Sequence, residues 1–148
     1  MHALGYLILA ALCGAALAVQ ASLNARMAQS AGSAVWGALV SFTTGGLVLL
    51  AVALLSRTPF SLTATARSAP AVTWLAGVLG AFYVATAALV LPRLGPALTF
   101  GLIIGGQMIL AVLIDQFGWL GVPIREISAG RVLGVLLVIV GVILIRRF

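Results

Sequence analysis

Residues 33–55 read SAVWGALVSFTTGGLVLLAVALL, and no charged side chain interrupts them. A helix of about 20 apolar residues crosses the ~30 Å hydrocarbon core of a bilayer, so this stretch is long enough to span one. Four more stretches, at about 3–23, 71–91, 96–114 and 128–145, have the same character. The composition agrees: 64% of the 148 residues are hydrophobic and 7% are charged, whereas a soluble domain carries about a quarter of its residues charged. A domain of this size leaves roughly 30% of its chain surface uncovered, and here that surface is apolar. Its solvent must be lipid. The expected fold is an all-α integral membrane protein, a single membrane domain over residues 1–148 with five transmembrane helices.

The segments between the spans carry turn chemistry. Residues 24–32 read as a polar connection holding Arg26. Residues 56–70, with two prolines and two arginines, read as an exposed loop. In Leu91-Pro92-Arg93-Leu94-Gly95-Pro96 the prolines are expected to end one helix and start the next. Residues 115–127 hold both acids of the chain, Asp115 and Glu126. Phe117 and Trp119 mark that segment as interfacial, and Trp36 and Trp74 are read as interface anchors near helix starts. Leu17–Ala21 resembles a signal-peptide cleavage site, yet no Lys or Arg precedes it and further apolar runs follow. It is therefore read as part of a first helix that stays in place. Gly101 and Gly105, like Gly130 and Gly134, have the spacing that lets helix backbones approach in lipid.

All eight basic residues are arginines: Arg26, Arg57, Arg67, Arg93, Arg125, Arg131, Arg146 and Arg147. They give a pI near 11.5, but they stand singly between apolar runs. Snorkelling to headgroups and setting topology is the reading they support, and nucleic acid is excluded as a partner. Cys13 and His2 are single, so neither a disulfide framework nor a metal site is expected. No cofactor is expected either. No phosphate-cradling glycine loop and no nucleophile–base set is present, which excludes ATP-driven transport by this chain alone and argues against an enzyme. With five crossings, Arg57, Arg67, Arg125 and Arg131 fall on one side and Arg26, Arg93, Arg146 and Arg147 on the other. The excess of Lys/Arg that normally fixes orientation is missing. Either another feature, such as the Arg146-Arg147 pair, fixes one orientation, or the chain inserts both ways and forms an antiparallel homodimer. An odd helix count favours the second, since two inverted copies reproduce the plan of many transporters.

Polar side chains inside a bilayer are costly and often functional. Gln20 and Asn24 are four apart and share a helix face; they suit either substrate contact or interhelical hydrogen bonding, and Asn24 also suits a cap or turn. Gln107 lies midway along the fourth span beside Gly105 and Gly106, where a ligand or a backbone can come close. Tyr83 and Thr86 face one way on the third span, and an aromatic with a hydroxyl suits a cavity for apolar or cationic compounds. Asp115 is a candidate gate or proton site, or an interfacial acid paired with an arginine. Ser41, Thr43, Thr44 and Thr99 are expected to bond their own helix backbone.

An ordered set of motifs runs through the chain: Gln20-Ala-Ser-Leu-Asn24-Ala-Arg-Met, Ser41-Phe42-Thr-Thr-Gly45, Gly77-Val-Leu-Gly80-Ala-Phe-Tyr83, Pro92-Arg93-Leu94-Gly95, Gly106-Gln107, Asp115-Gln-Phe-Gly118, Arg131-Val-Leu-Gly134 and Gly141-Val-Ile-Leu-Ile. Together they resemble the YdcZ-type inner-membrane exporters, a five-helix branch of the drug/metabolite transporter superfamily, over nearly the whole chain. The resemblance implies half of a ten-helix inverted-repeat transporter in a bacterial inner membrane. It implies export of a small-molecule substrate by alternating access through a dual-topology dimer, with helices one, three and four lining the cavity. Unlike the small multidrug transporters, which also resemble half-transporters, this chain has no carboxylate at the centre of a span. A passive channel formed by the same dimer and a non-transporting scaffold are the other readings the residues allow.

Overall fold

A backbone in hydrocarbon must satisfy its own hydrogen bonds, and an apolar run does so most simply as a helix. The computed structural model describes residues 3–57, 59 and 61–148, apart from the Leu62 side chain; His2 lies outside them. The helices are α1 (Ala3–Ser30), α2 (Ala34–Leu55), α3 (Leu62–Ser68), α4 (Leu75–Leu94), α5 (Pro96–Phe117) and α6 (Ala129–Arg147). No strand occurs among the described residues. Five stretches are long and apolar enough to cross a membrane: α1, α2, Ala71–Leu94, α5 and α6. The expected all-α, five-span architecture is therefore the observed one. Two compact units make up the chain, Met1–Pro92 and Arg93–Phe148.

In the first unit, α1 does not stop at residue 23. It continues to Ser30, 28 residues in all, so most of the expected polar connection at 24–32 is helix. Polar side chains do not break a helix that has left the bilayer core, and Ala25, Met27 and Ala28 are good helix formers. The stop is Gly32, with φ +67°. Around it the Ser33 amide donates to Ala28 O (3.0 Å) and the Gly32 amide to Gln29 O (3.2 Å), the paired bonds of a Schellman motif. Ser33 then caps α2 by accepting from the Trp36 amide. One helix thus ends and the next begins within three residues, Ala31–Ser33.

The hairpin closes along small residues. Ala21, Asn24, Ala25 and Ala28 are buried on α1, Gly37 and Ala38 on α2. A Cβ on Gly37 would stand 2.8 Å from Ala28 N and 2.9 Å from its Cα. The two backbones are therefore in contact there, as small residues permit in lipid. Further along, the Phe42 ring of α2 sits over Gly80 of α4, 3.4 Å from where a Cβ would be. The described residues of the 56–70 connection are exposed as expected, apart from the half-buried Ala69, but not wholly irregular: Ser61 caps the two-turn helix α3, accepting from the Ala64 amide. A 3-10 turn, Ala71–Trp74, leads from Pro70 into α4.

In the second unit, α5 and α6 pack together, and Val142 Cγ2 lies 3.0 Å from a Cβ position on Gly101. Pro96 opens α5 at its first turn, as expected. Pro92, in contrast, does not end α4, which runs through it to Leu94. A proline in the last turn removes one hydrogen bond close to the helix end, where the ladder is stopping anyway. Gly95 alone separates the two helices.

The Gly37 contact has a measurable consequence. Gly37→Val forces the α1–α2 crossing apart and is expected to destabilise the protein by about 1–3 kcal/mol. Gly14→Val on α1, where a Cβ meets nothing within 4 Å, should leave thermal unfolding in detergent nearly unchanged. Equal losses for the two variants would show that the crossing is not a packing constraint.

Candidate functional site

Asn24 belongs by spacing to the alanine seam of α1, and this position buries it to 7% exposure. Its carboxamide makes no hydrogen bond among the described residues, and no polar atom there is both fully enclosed and unpartnered. Its amide atoms therefore open onto free space. That space is a groove of about 620 Å³ between α1 and α2, lined by Gln20, Asn24, Ser41 and Thr44 together with apolar residues such as Val19, Leu23, Met27 and Val40. At the α-helical rise its lining begins, at Met27, about 6 Å along α1 from the turn at Ala31. A second recess of about 270 Å³ shares Gln20, Ser41 and Gly45 and is bounded by Val84 of α4.

The two amides expected to share a face do so, and both line the groove. The cap-or-turn reading of Asn24 is corrected, because α1 continues for six residues beyond it. Tyr83, half-buried, and Thr86, exposed, lie on α4 beside Val84 but do not line either space. Gln107 is exposed on α5, in the other unit. Thr44 and Thr99 bond their own helix, to Val40 O (2.9 Å) and Gly95 O (2.7 Å). Ser41 and Thr43 make no such bond among the described residues, and Ser41 instead borders both spaces. The sequence assigns Ser41 to its own helix backbone rather than to a site. Its signal was the small polar face it forms with Thr44 and Gly45, three and four residues on.

Asp115 sits in a different arrangement, at the end of α5. Gly118 adopts the left-handed conformation at φ +62°, where a Cβ would also strike Ile124 Cγ1 at 2.8 Å. The chain then folds back, with Leu120 and Gly121 also at positive φ, and runs extended beside the helix end. The Arg125 amide donates to Asp115 O (2.8 Å) and the Ile127 amide to Gln116 Oε1. Arg131, in the first turn of α6, ties the segment down: its guanidinium bonds the Asp115 carboxylate and, through Nη1, Arg125 O at 2.9 Å. The arginine partner of Asp115 is thus Arg131, with each side chain 30% exposed. The Phe117 and Trp119 rings stack at 5.1 Å beside this clasp.

The clasp links α5 to α6 by side chains sixteen positions apart. Asp115→Ala and Arg131→Ala are each expected to destabilise the protein, and the double variant by less than their sum. The coupling energy expected from the unfolding cycle is about 0.5–3 kcal/mol. Strict additivity would show that the pair is not formed.

Among the described residues no three side chains are grouped to hold a metal ion. The two amides and the Ser41 hydroxyl that line the groove can donate and accept hydrogen bonds. No curated protein and no solved structure matches the chain. The protein family described as "Putative inner membrane exporter, YdcZ" matches residues 5–144. That is nearly the whole chain, with all five spans inside or overlapping the match, and the chain belongs to this family of inner-membrane exporters.

Proposed function

We propose that this chain exports a small molecule across a bacterial inner membrane by alternating access, working as an antiparallel homodimer of dual topology. The observation that carries the reading is the groove between α1 and α2. It holds Asn24, a residue only 7% exposed whose carboxamide has no hydrogen-bond partner among the described residues and opens onto the groove. Gln20 and Asn24 contact the substrate, with Ser41 beside them. Tyr83, Thr86 and Gln107 are further substrate contacts, each a hydrogen-bonding group within a membrane span. Asp115, held by Arg131 at the end of α5, serves as a gate. The dimer rests on different support: four arginines fall on each side of a five-span chain, and two inverted copies make the inverted-repeat plan of alternating-access transporters.

Two measurements test this. Reporter fusions and cysteine labelling at both termini should find each terminus on both sides of the membrane. Adding lysines to one loop should collapse the mixture to one orientation, since Lys/Arg bias sets topology. A single orientation in the unmodified protein removes the antiparallel dimer.

In proteoliposomes loaded with a metabolite pool, transport should saturate and show counterflow. Gln20→Ala and Gln107→Ala should each reduce it about tenfold, the loss of one hydrogen bond to substrate. Undiminished transport by Gln107→Ala removes that residue from the site, and unsaturable conductance in place of counterflow replaces the carrier with a channel.

A further inference from the structure

The residues lining the α1–α2 groove include amides, hydroxyls and apolar side chains, but no arginine, aspartate, glutamate or histidine. The adjoining recess has none either. A charged ligand entering from water would lose its hydration there and gain no counter-ion, a penalty far above what one hydrogen bond returns. A neutral ligand meets the opposite balance. Each carboxamide both donates and accepts, and Asn24, buried without a partner, gains from any ligand that offers the complementary pair. Gln20 lies one turn earlier on the same face, about 6 Å away along the helix axis. Val19, Leu23 and Val40 supply apolar walls, and Met27 adds an adaptable one. A volume near 620 Å³ is within the range of small-molecule sites.

We infer that the groove selects an uncharged molecule with an apolar body and two hydrogen-bonding groups about 6 Å apart, of amide, urea or hydroxyl type, and that Asn24 reads the first of them. The assignment rests on the exporter reading above and deepens it by excluding organic cations and anions as the transported class.

The test uses purified full-length protein in lipid nanodiscs and three fluorescent probes of matched size: a neutral dansyl amide, its trimethylammonium derivative and its carboxylate derivative. The neutral probe should bind saturably, at least about tenfold tighter than either charged one. Asn24→Leu, close to isosteric, should weaken it by about tenfold, the worth of one hydrogen bond to a buried partner. Gln20→Leu, outside the packed seam, should weaken it similarly and guards against a folding defect at position 24. Ser41→Asp should reverse the order in favour of the cationic probe. Several outcomes would overturn the inference: equal or tighter binding of a charged probe by the unmodified protein, no saturable binding of any probe, neutral binding insensitive to both amide variants, or an order unchanged by Ser41→Asp. Counterflow of the same probes separates this inference from the exporter reading. Selective binding of the neutral probe without saturable counterflow keeps the neutral groove and removes the exporter. Saturable counterflow of the cation keeps the exporter and removes the neutral groove.

Discussion

At the crossing of α1 and α2 there is no room for a side chain: the Gly37 backbone rests on that of Ala28. In water such an approach would be driven by burying apolar area. Between helices already dissolved in lipid that drive is absent, and close packing has to supply the attraction. Small residues on both faces, Ala21, Ala25 and Ala28 against Gly37 and Ala38, meet this requirement near the turn. Larger residues alternate with them on α1, Val19, Leu23 and Met27, and with Val40 of α2 they line the groove beside the seam.

The other constraint is the backbone itself, which cannot leave its hydrogen bonds unmade in hydrocarbon. The chain therefore turns abruptly and reconnects at once. At Gly32 the orphan carbonyls of α1 are taken up by the Gly32 and Ser33 amides before Ser33 opens α2. At Gly118 the solution is longer. The chain folds back, the Arg125 amide takes up Asp115 O, and the Ile127 amide and Arg131 guanidinium hold the returning segment through Gln116 Oε1, the Asp115 carboxylate and Arg125 O. An ion pair at this level sits where hydration is only partial. Coupling two helix ends through charges that are each 30% exposed makes a joint that solvent can reach.

Much of the fold was legible in the sequence because hydropathy over twenty residues is a strong signal and lipid leaves the backbone few choices. Residues 33–55 needed no neighbour to be read as a helix. What escaped was set by contacts. The polar stretch after Leu23 looked like a connection, because composition does not distinguish a loop from a helix that has reached the interface; Gly32 carried the stop. Pro92 looked like a helix end, although a proline two residues from the terminus interrupts little. The shared face of Gln20 and Asn24 followed from their spacing of four. That Ser41 and Thr44 stand with them depended on the register of α1 against α2, which Gly37 and Ala28 set and a single sequence does not spell out. An arginine partner for Asp115 was expected from charge alone. That it is Arg131 depends on the fold-back at Gly118.

Asn24 is the residue on which stability and recognition pull in different directions. Its neighbours in the seam are alanines, and an alanine at position 24 would continue the stripe without placing an amide in a helix crossing. The hydroxyls of Thr44 and Thr99 bond their own helices. Asn24 makes no such bond, and its amide is left facing the groove. A polar group at such a position, without a hydrogen-bond partner among the described residues, is what the proposed exporter reading uses to hold its substrate.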